Sequence, residues 1–254
     1  MRRLWLFVGS LAALAAVLFA AFNVLMLLAH EEVTEQHRFE AAGIASILVH
    51  ADNGTVEVTG GDVDEIAVSA EISHGLRRTS HRAEVEGDRL VVRGDCHMAM
   101  SYWCRTTYRV TVPADLPVVA EANNGRITLR DLRGDVDADS HNGRIELIRM
   151  AGDVTAESRN GRVEATGLRS GRVDARTSNG SVTLTFAAAP TTVEAHSRNG
   201  SVEVVVPDGP IAYRVVTDTS FGSVDAAVRT DPQGERSITA TTRNGSVRVR
   251  YPTG

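Results

Sequence analysis

Residues 124–161 read NGRITLRDLRGDVDADSHNGRIELIRMAGDVTAESRNG, and the interval between the Asn-Gly pairs in this stretch decides the fold class. Asn-Gly stands at 124–125, 142–143, 160–161, 179–180, 199–200 and 244–245, with opening gaps of 18, 18, 19 and 20 residues. The long gap before Asn244 holds a degenerate copy, Phe221-Gly222. Each pair opens an apolar/polar alternation, as in NGRITL, NGRIEL, NGRVEA, NGSVTL and NGSVEV. A fixed period of this size marks a repeat architecture.

Each repeat has two halves. After the Asn-Gly pair, Ile127, Ile145, Val163, Val182, Val202 and Val247 form one apolar column, with Val224 in the degenerate copy. Two residues on, Leu129, Leu147, Ala165, Leu184, Val204 and Val249 form a second. The other half supplies Val136, Val154, Val173 and Val193, then the small Ala138, Ala156, Ala175 and Ala195. The positions between are Arg, Glu, Asp, Ser and Thr. Side chains alternate faces along a strand, so one face is core and the other meets solvent. Two all-β foldings satisfy this pattern. In a parallel β-solenoid each repeat of about 18 residues is one coil, and equivalent residues stack at about 4.8 Å. In an antiparallel β-meander each Asn-Gly is a hairpin turn. Stacking would set Arg126, Arg144 and Arg162 over one another, which favours the meander. The nine-residue halves, with Ala columns matched to Val columns, suit a flattened coil. The pattern as a whole favours the solenoid, with the regular array over 121–250.

The block VTVPADLPVVAEANNGRITLRDLRGDVDADSHNGRIELIRMAGDV carries a family resemblance. A Leu-Pro strand followed by G-x-V-x-[VLA] units alternating with G-D-V-x-A units resembles the bacterial putative-adhesin family of β-strand-repeat domains, a family of unknown function. The match runs from about Ser46 to Val249. It implies an all-β repeat domain, often displayed from a single membrane helix in the bacterial envelope.

The first 40 residues differ in kind. After Arg2-Arg3 comes LWLFVGSLAALAAVLFAAFNVLMLLA, residues 4–29, without a formal charge. A helix of that length covers a hydrocarbon core of about 30 Å. The expectation is a transmembrane helix over 4–29, a cytoplasmic tip over 1–3, a polar juxtamembrane stem over 30–40 and an extracytoplasmic domain over 41–254. The chain would then be a single-pass protein of the cell membrane with its N-terminus in the cytoplasm, since the paired Arg precedes the span and Glu31-Glu32 follows it. A cleaved signal peptide is the rival reading; its apolar core is usually about 7–15 residues. Asn23 could bond to a second helix.

Composition excludes several chemistries. All 27 basic residues of the 254-residue chain are Arg, which removes Schiff-base lysines and phosphate-loop lysines. A net charge of −5 without long basic runs argues against nucleic acid as partner. Cys96 and Cys104 are the two cysteines, and outside the cytoplasm a pair this close reads as one disulfide. A zinc site from Cys96, His97 and Cys104 is the alternative, weakened by adjacent ligands and a missing fourth. Between the cysteines, Met98, Met100, Tyr102 and Trp103 form an apolar patch, either an end-cap over the open sheet edge or a displayed contact loop. Arg93-Gly94-Asp95 and Arg133-Gly134-Asp135 spell a cell-attachment tripeptide, but the second falls at the glycine turn of the repeat. Asp139-Ser140-His141 contains the residue types of a hydrolytic triad, yet neighbours on a strand face opposite ways. Asp135, Asp137, Asp139 and Asp153 would share an exposed region, suited to calcium or acid/base work but without loops to wall a pocket.

The sequence therefore points to a non-catalytic binding or scaffold module without cofactors. Its candidate contact residues are Arg126, Arg144 and Arg162 with Met98, Tyr102 and Trp103. Its expected partners are an envelope polymer or another envelope protein, with the lipid bilayer reached through the N-terminal helix. An accessory or sensor subunit of an envelope-stress system and a β-helical carbohydrate-active enzyme are the alternatives.

Overall fold

The computed structural model describes residues 2–28, 31–74, 80–95 and 104–252. One helix, α1 (Arg2–Leu28), precedes an all-β chain. Strands β1 (Glu31–Glu40), β2 (Ser46–Gly61), β3 (Glu65–His74), β4 (Ser80–Glu86), β5 (Arg89–Asp95), β6 (Arg105–Pro113) and β7 (Val118–Arg130) come first. The short pairs of the array follow: β8 (Val136–Asn142) with β9 (Ile145–Ile148), β10 (Val154–Asn160) with β11 (Val163–Leu168), and β12 (Arg172–Asn179) with β13 (Val182–Phe186). Then come β14 (Thr192–Asn199) with β15 (Val202–Val205), β16 (Arg214–Phe221) with β17 (Val224–Ala227), and β18 (Ser237–Asn244) with β19 (Val247–Arg250).

The pairing decides between the two foldings. β7, β8, β10, β12 and β14 run parallel, with Asn124, Asn142, Asn160, Asn179 and Asn199 in register. β7, β9, β11, β13 and β15 run parallel beside them, with Ile127, Ile145, Val163, Val182 and Val202 in register. Each repeat is therefore one coil contributing a strand to two facing rows, a solenoid and not a meander. The stacking of Arg126, Arg144 and Arg162 does not prevent it, because exposed like charges cost only tenths of a kcal/mol per pair against a continuous ladder. Asn-Gly is not a hairpin turn here. A Cβ on Gly161 would overlap the Gly143 carbonyl oxygen, so glycine lets successive coils close to strand distance.

The core lies between the two rows. Val136, Ala138, Val154 and Ala156 from one face Ile145, Leu147, Val163 and Ala165 from the other, all nearly without solvent exposure. The corner hydroxyls complete it. Ser158, Thr177, Ser197 and Thr242 are buried and donate to the carbonyls of Gly143, Gly161, Gly180 and Gly200 at 3.2, 2.9, 2.9 and 2.8 Å. Backbone carbonyls at the tight corner thereby gain a donor in place of water.

The stack is longer than the regular array and ordered differently from the chain. β2 is itself a coil, parallel to β7 with Asn53 opposite Asn124. On its other side lie β5 and β6, again parallel. β4 closes β5, and β3 then β1 close β6, all antiparallel. Residues 31–40, read as a stem, are thus a full strand of this cap. At the far end β18 and β19 insert between β14/β15 and β16/β17. The degenerate copy is therefore the last coil in space. Phe221 is 73% exposed and Val224 is 46% exposed, so Val224 does not join the buried column.

The membrane expectation is corrected. Among the described residues no helix is long and apolar enough to cross a membrane. The transmembrane helix over 4–29, the single-pass cell-membrane location and the lipid contact through that helix are not supported. Asn23 Nδ2 donates to Phe19 O at 2.7 Å, within its own helix.

Candidate functional site: the asparagine corner

The Asn-Gly positions form one continuous edge along the solenoid. Parallel in-register stacking brings each Asn beside its equivalent, and the amides join into a ladder. Asn124 Nδ2 donates to Asn53 Oδ1 at 2.9 Å, Asn142 to Asn124 at 2.9 Å and Asn160 to Asn142 at 2.9 Å. Asn179 donates to Asn160 at 2.8 Å, Asn199 to Asn179 at 2.9 Å and Asn244 to Asn199 at 2.8 Å. Each interior amide uses one N–H and one acceptor direction in the ladder. Its second N–H faces solvent, so the edge is a row of donors spaced at about 4.8 Å.

Arginines flank this row. Arg126, Arg144 and Arg162 follow the Asn-Gly pair in three successive coils, pointing away from the inward Ile127, Ile145 and Val163. Arg159, Arg198 and Arg243 precede their Asn on the other side of the edge, and all three are exposed. The cations shift along a diagonal, on the first side in the coils of Asn124, Asn142 and Asn160 and on the second in those of Asn160, Asn199 and Asn244, with Ser178 and Ser181 in the coil of Asn179 between. Among the described residues none of these six has a carboxylate partner within ion-pair distance; Arg159 meets His141 Nε2 at 3.3 Å.

Several arginines elsewhere are paired with carboxylates. At the opposite corner Arg133 donates to both oxygens of Asp115 at 2.7 and 2.8 Å, and Arg149 donates to Asp131 at 2.6 Å. These bonds hold the carboxyls of Asp115 and Asp131 below the usual aspartate range. Arg172 reaches Asp153 at 3.3 Å, and Arg250 reaches Glu203 at 2.7 Å. Arg176 holds Asp174 at 2.7 Å and Glu194 at 3.1 Å.

The other candidates separate. Ser140 is buried while Asp139 and His141 are exposed on the outer face, so no triad assembles. Asp137 and Asp139 share that face with Glu121 and Glu157, whereas Asp135 and Asp153 lie at the corner, where the Asp153 N–H donates to Asp135 Oδ1 at 3.0 Å. Partial burial, then repulsion from Glu121 and Glu157, raises the carboxyls of Asp137 and Asp139. Arg133 of the second tripeptide is engaged with Asp115. Cys96, Met98, Met100, Tyr102 and Trp103 lie outside the described residues; Cys104, which directly precedes β6, is described.

Reading the sequence assigned Arg126, Arg144 and Arg162 to this surface but missed Arg159, Arg198, Arg243 and the amide ladder. The signal was present: an Arg directly before Asn-Gly recurs at 159, 198 and 243.

Among solved structures the chain resembles a putative cell adhesion protein from Clostridium sporogenes at 12% identity and TM-score 0.40, covering 87% of this chain and 100% of that one. A putative adhesin from Parabacteroides distasonis gives 11% identity and TM-score 0.43, and one from Bacteroides fragilis 11% and 0.39, each covering 87% of this chain and 97% of the other. No curated protein matches the chain. The family model described as Toastrack DUF4097 matches residues 44–253, the whole array with most of its cap, and the chain belongs to the Toastrack DUF4097 family.

Proposed function

We propose that this protein is a non-catalytic binding module whose asparagine corner grips an extended anionic polymer. One observation carries the reading: six arginines without carboxylate partners among the described residues line a straight row of amide donors, while Arg133 and Arg149 on the opposite corner are neutralised by Asp115 and Asp131. Unpaired guanidiniums in a line present bidentate donors to carboxylate, sulfate or phosphate groups. The diagonal fits a polyanion. In the coil of Asp139 the acidic outer face repels it from the near side, and there the cation, Arg144, lies on the far side.

The acidic face itself does not favour an enzyme. Asp137 and Asp139 lie on a flat sheet surface, and among the described residues no loop rises over them.

The test uses labelled poly-L-glutamate and the chain carrying Arg126→Ser, Arg144→Ser and Arg162→Ser. Serine occupies the same column at 181, 201 and 246, so the fold tolerates it. Exposed charge pairs contribute about 0.5 kcal/mol each, so the triple variant is expected to bind about tenfold more weakly at low salt. Equal affinity of the two proteins would sink the proposal.

The contact residues Met98, Tyr102 and Trp103 and the Cys96–Cys104 bridge belong to the same proposal. Cys104 directly precedes β6, and no free cysteine occurs among the described residues. β5 and β6, which the segment connects, flank the Asn53 end of the ladder. Two titratable thiols in the folded, unreduced chain would remove the bridge.

A further inference from the structure

The antiparallel cap holds a second cluster, far from the arginine columns in sequence. Glu35 and His37 stand two apart on β1 and so project from the same face. His81, on β4, meets them from the adjoining strand pair. Glu35 Oε2 lies 3.6 Å from His37 Nε2 and 3.8 Å from His81 Nε2, and the three ligand atoms all lie within 4.8 Å of one another. The imidazoles are tilted by 32° with centroids 5.7 Å apart.

His81 points to a ligand. Its side chain is 5% exposed, yet its Nε2 has no hydrogen-bond partner among the described residues, and Glu35 at 3.8 Å is beyond reach of one. Its other nitrogen is fixed, with Nδ1 3.0 Å from the Tyr108 hydroxyl. With Nδ1–H donating to that oxygen, Nε2 carries a bare lone pair aimed between Glu35 and His37. Tyr108 is fully buried, and Gly94 makes room for it, because a Cβ there would overlap the tyrosine hydroxyl. A buried, oriented imidazole whose free nitrogen faces another imidazole and a carboxylate is the arrangement that metal ligands adopt, down to the outer partner that sets the tautomer.

We propose that Glu35, His37 and His81 bind a divalent transition-metal ion, zinc foremost, with Tyr108 as the positioning residue for His81. Two imidazoles and one carboxylate suit Zn²⁺ and leave a fourth position open. For tetrahedral zinc with bonds of about 2.1 Å, neighbouring ligand atoms are about 3.4 Å apart. The two Glu35 edges need to shorten by only a few tenths of an ångström. Glu35 and His37 are 44% and 41% exposed, so the open position faces solvent.

The test is cobalt and zinc binding to the untagged full chain after chelator treatment. One Co²⁺ per chain is expected, with visible ligand-field bands that Zn²⁺ removes. Glu35→Gln and His37→Ala, both at exposed positions, should weaken binding at least tenfold without altering the melting profile of the metal-free protein. Tyr108→Phe should weaken it about tenfold, as loss of an outer partner does, and His196→Ala should leave it unchanged. No stoichiometric uptake, uptake indifferent to His37→Ala, or a thiolate-to-cobalt band assigning the ion to cysteine would each overturn the proposal.

Discussion

Gly161 illustrates how single residues hold the stack. Its hydrogen faces the Gly143 carbonyl oxygen, so Gly161→Ala must push two coils apart and is expected to cost about 3 kcal/mol or more. Gly209→Ala, where nothing lies within 4 Å of the added carbon, should stay within about 0.5 kcal/mol. Urea midpoints of the two variants check the contrast. The ladder is graded in the same way. Asn160 both donates to Asn142 and accepts from Asn179, whereas Asn244 only donates to Asn199. Asn160→Ala should cost about 1 kcal/mol and Asn244→Ala about half that, since exposed amides left behind rebind water. On the acidic face the Asp139 carboxyl is raised, first by partial burial and then by Glu157 and Glu121. A raised carboxyl destabilises the fold when ionised, a cost present above its folded pKa and absent below the ordinary aspartate value. Asp139→Asn should therefore stabilise the fold at pH 7 by a few tenths of a kcal/mol after solvent screening, read as a higher melting temperature. The gain should vanish near pH 3, and a larger gain in acid would reverse the sign. Sequence showed these residues but not their work, because Asn-Gly is a turn signal locally and a ladder only when coils stack.

Alternation within a strand was legible from sequence throughout the array. Ile145 and Leu147 point inward opposite Val154 and Ala156, as their columns imply, and Arg144 points outward. Ile145→Asp buries a charge with no partner and should cost several kcal/mol, while Arg144→Asp should change stability by about 0.5 kcal/mol or less. Equal denaturation midpoints would refute the register. Strand partners were less legible, because parallel pairing joins residues 18 to 71 apart and leaves no local mark. Asn53-Gly54 thus proved to be a rung of the same ladder, and the polar run 31–40 proved to be a strand, its alternation masked by Glu, Gln and His on both faces. The Glu35, His37 and His81 cluster was hidden for the same reason: β1 and β4 are joined in the ladder only through β3, β6, β2 and β5.

At the scale of the molecule, coil order departs from chain order, and this too can be measured. His196 Nδ1 lies 2.8 Å from Thr241 Oγ1 across adjacent strands, while Asp218 is in register with Thr241 one strand further out. Cysteines at 196 and 241 should bridge. Cysteines at 196 and 218, neighbours if coils followed the chain, are about 9.6 Å apart and should not. Peptide mapping after oxidation distinguishes the two. The same stack sets the length of the binding edge. From the coil of Arg126 to that of Arg243 there are five steps of about 4.8 Å, roughly 24 Å. The most direct measurement of the central claim is the affinity of the chain for oligoglutamates of increasing length at low salt. An extended chain covers about 3.3 Å per residue. Affinity should climb with each residue up to about seven or eight and then level off, and the Arg126, Arg144 and Arg162 triple variant should lose most of that climb. Affinity independent of length, or a climb identical in the triple variant, would contradict a linear anion-binding edge.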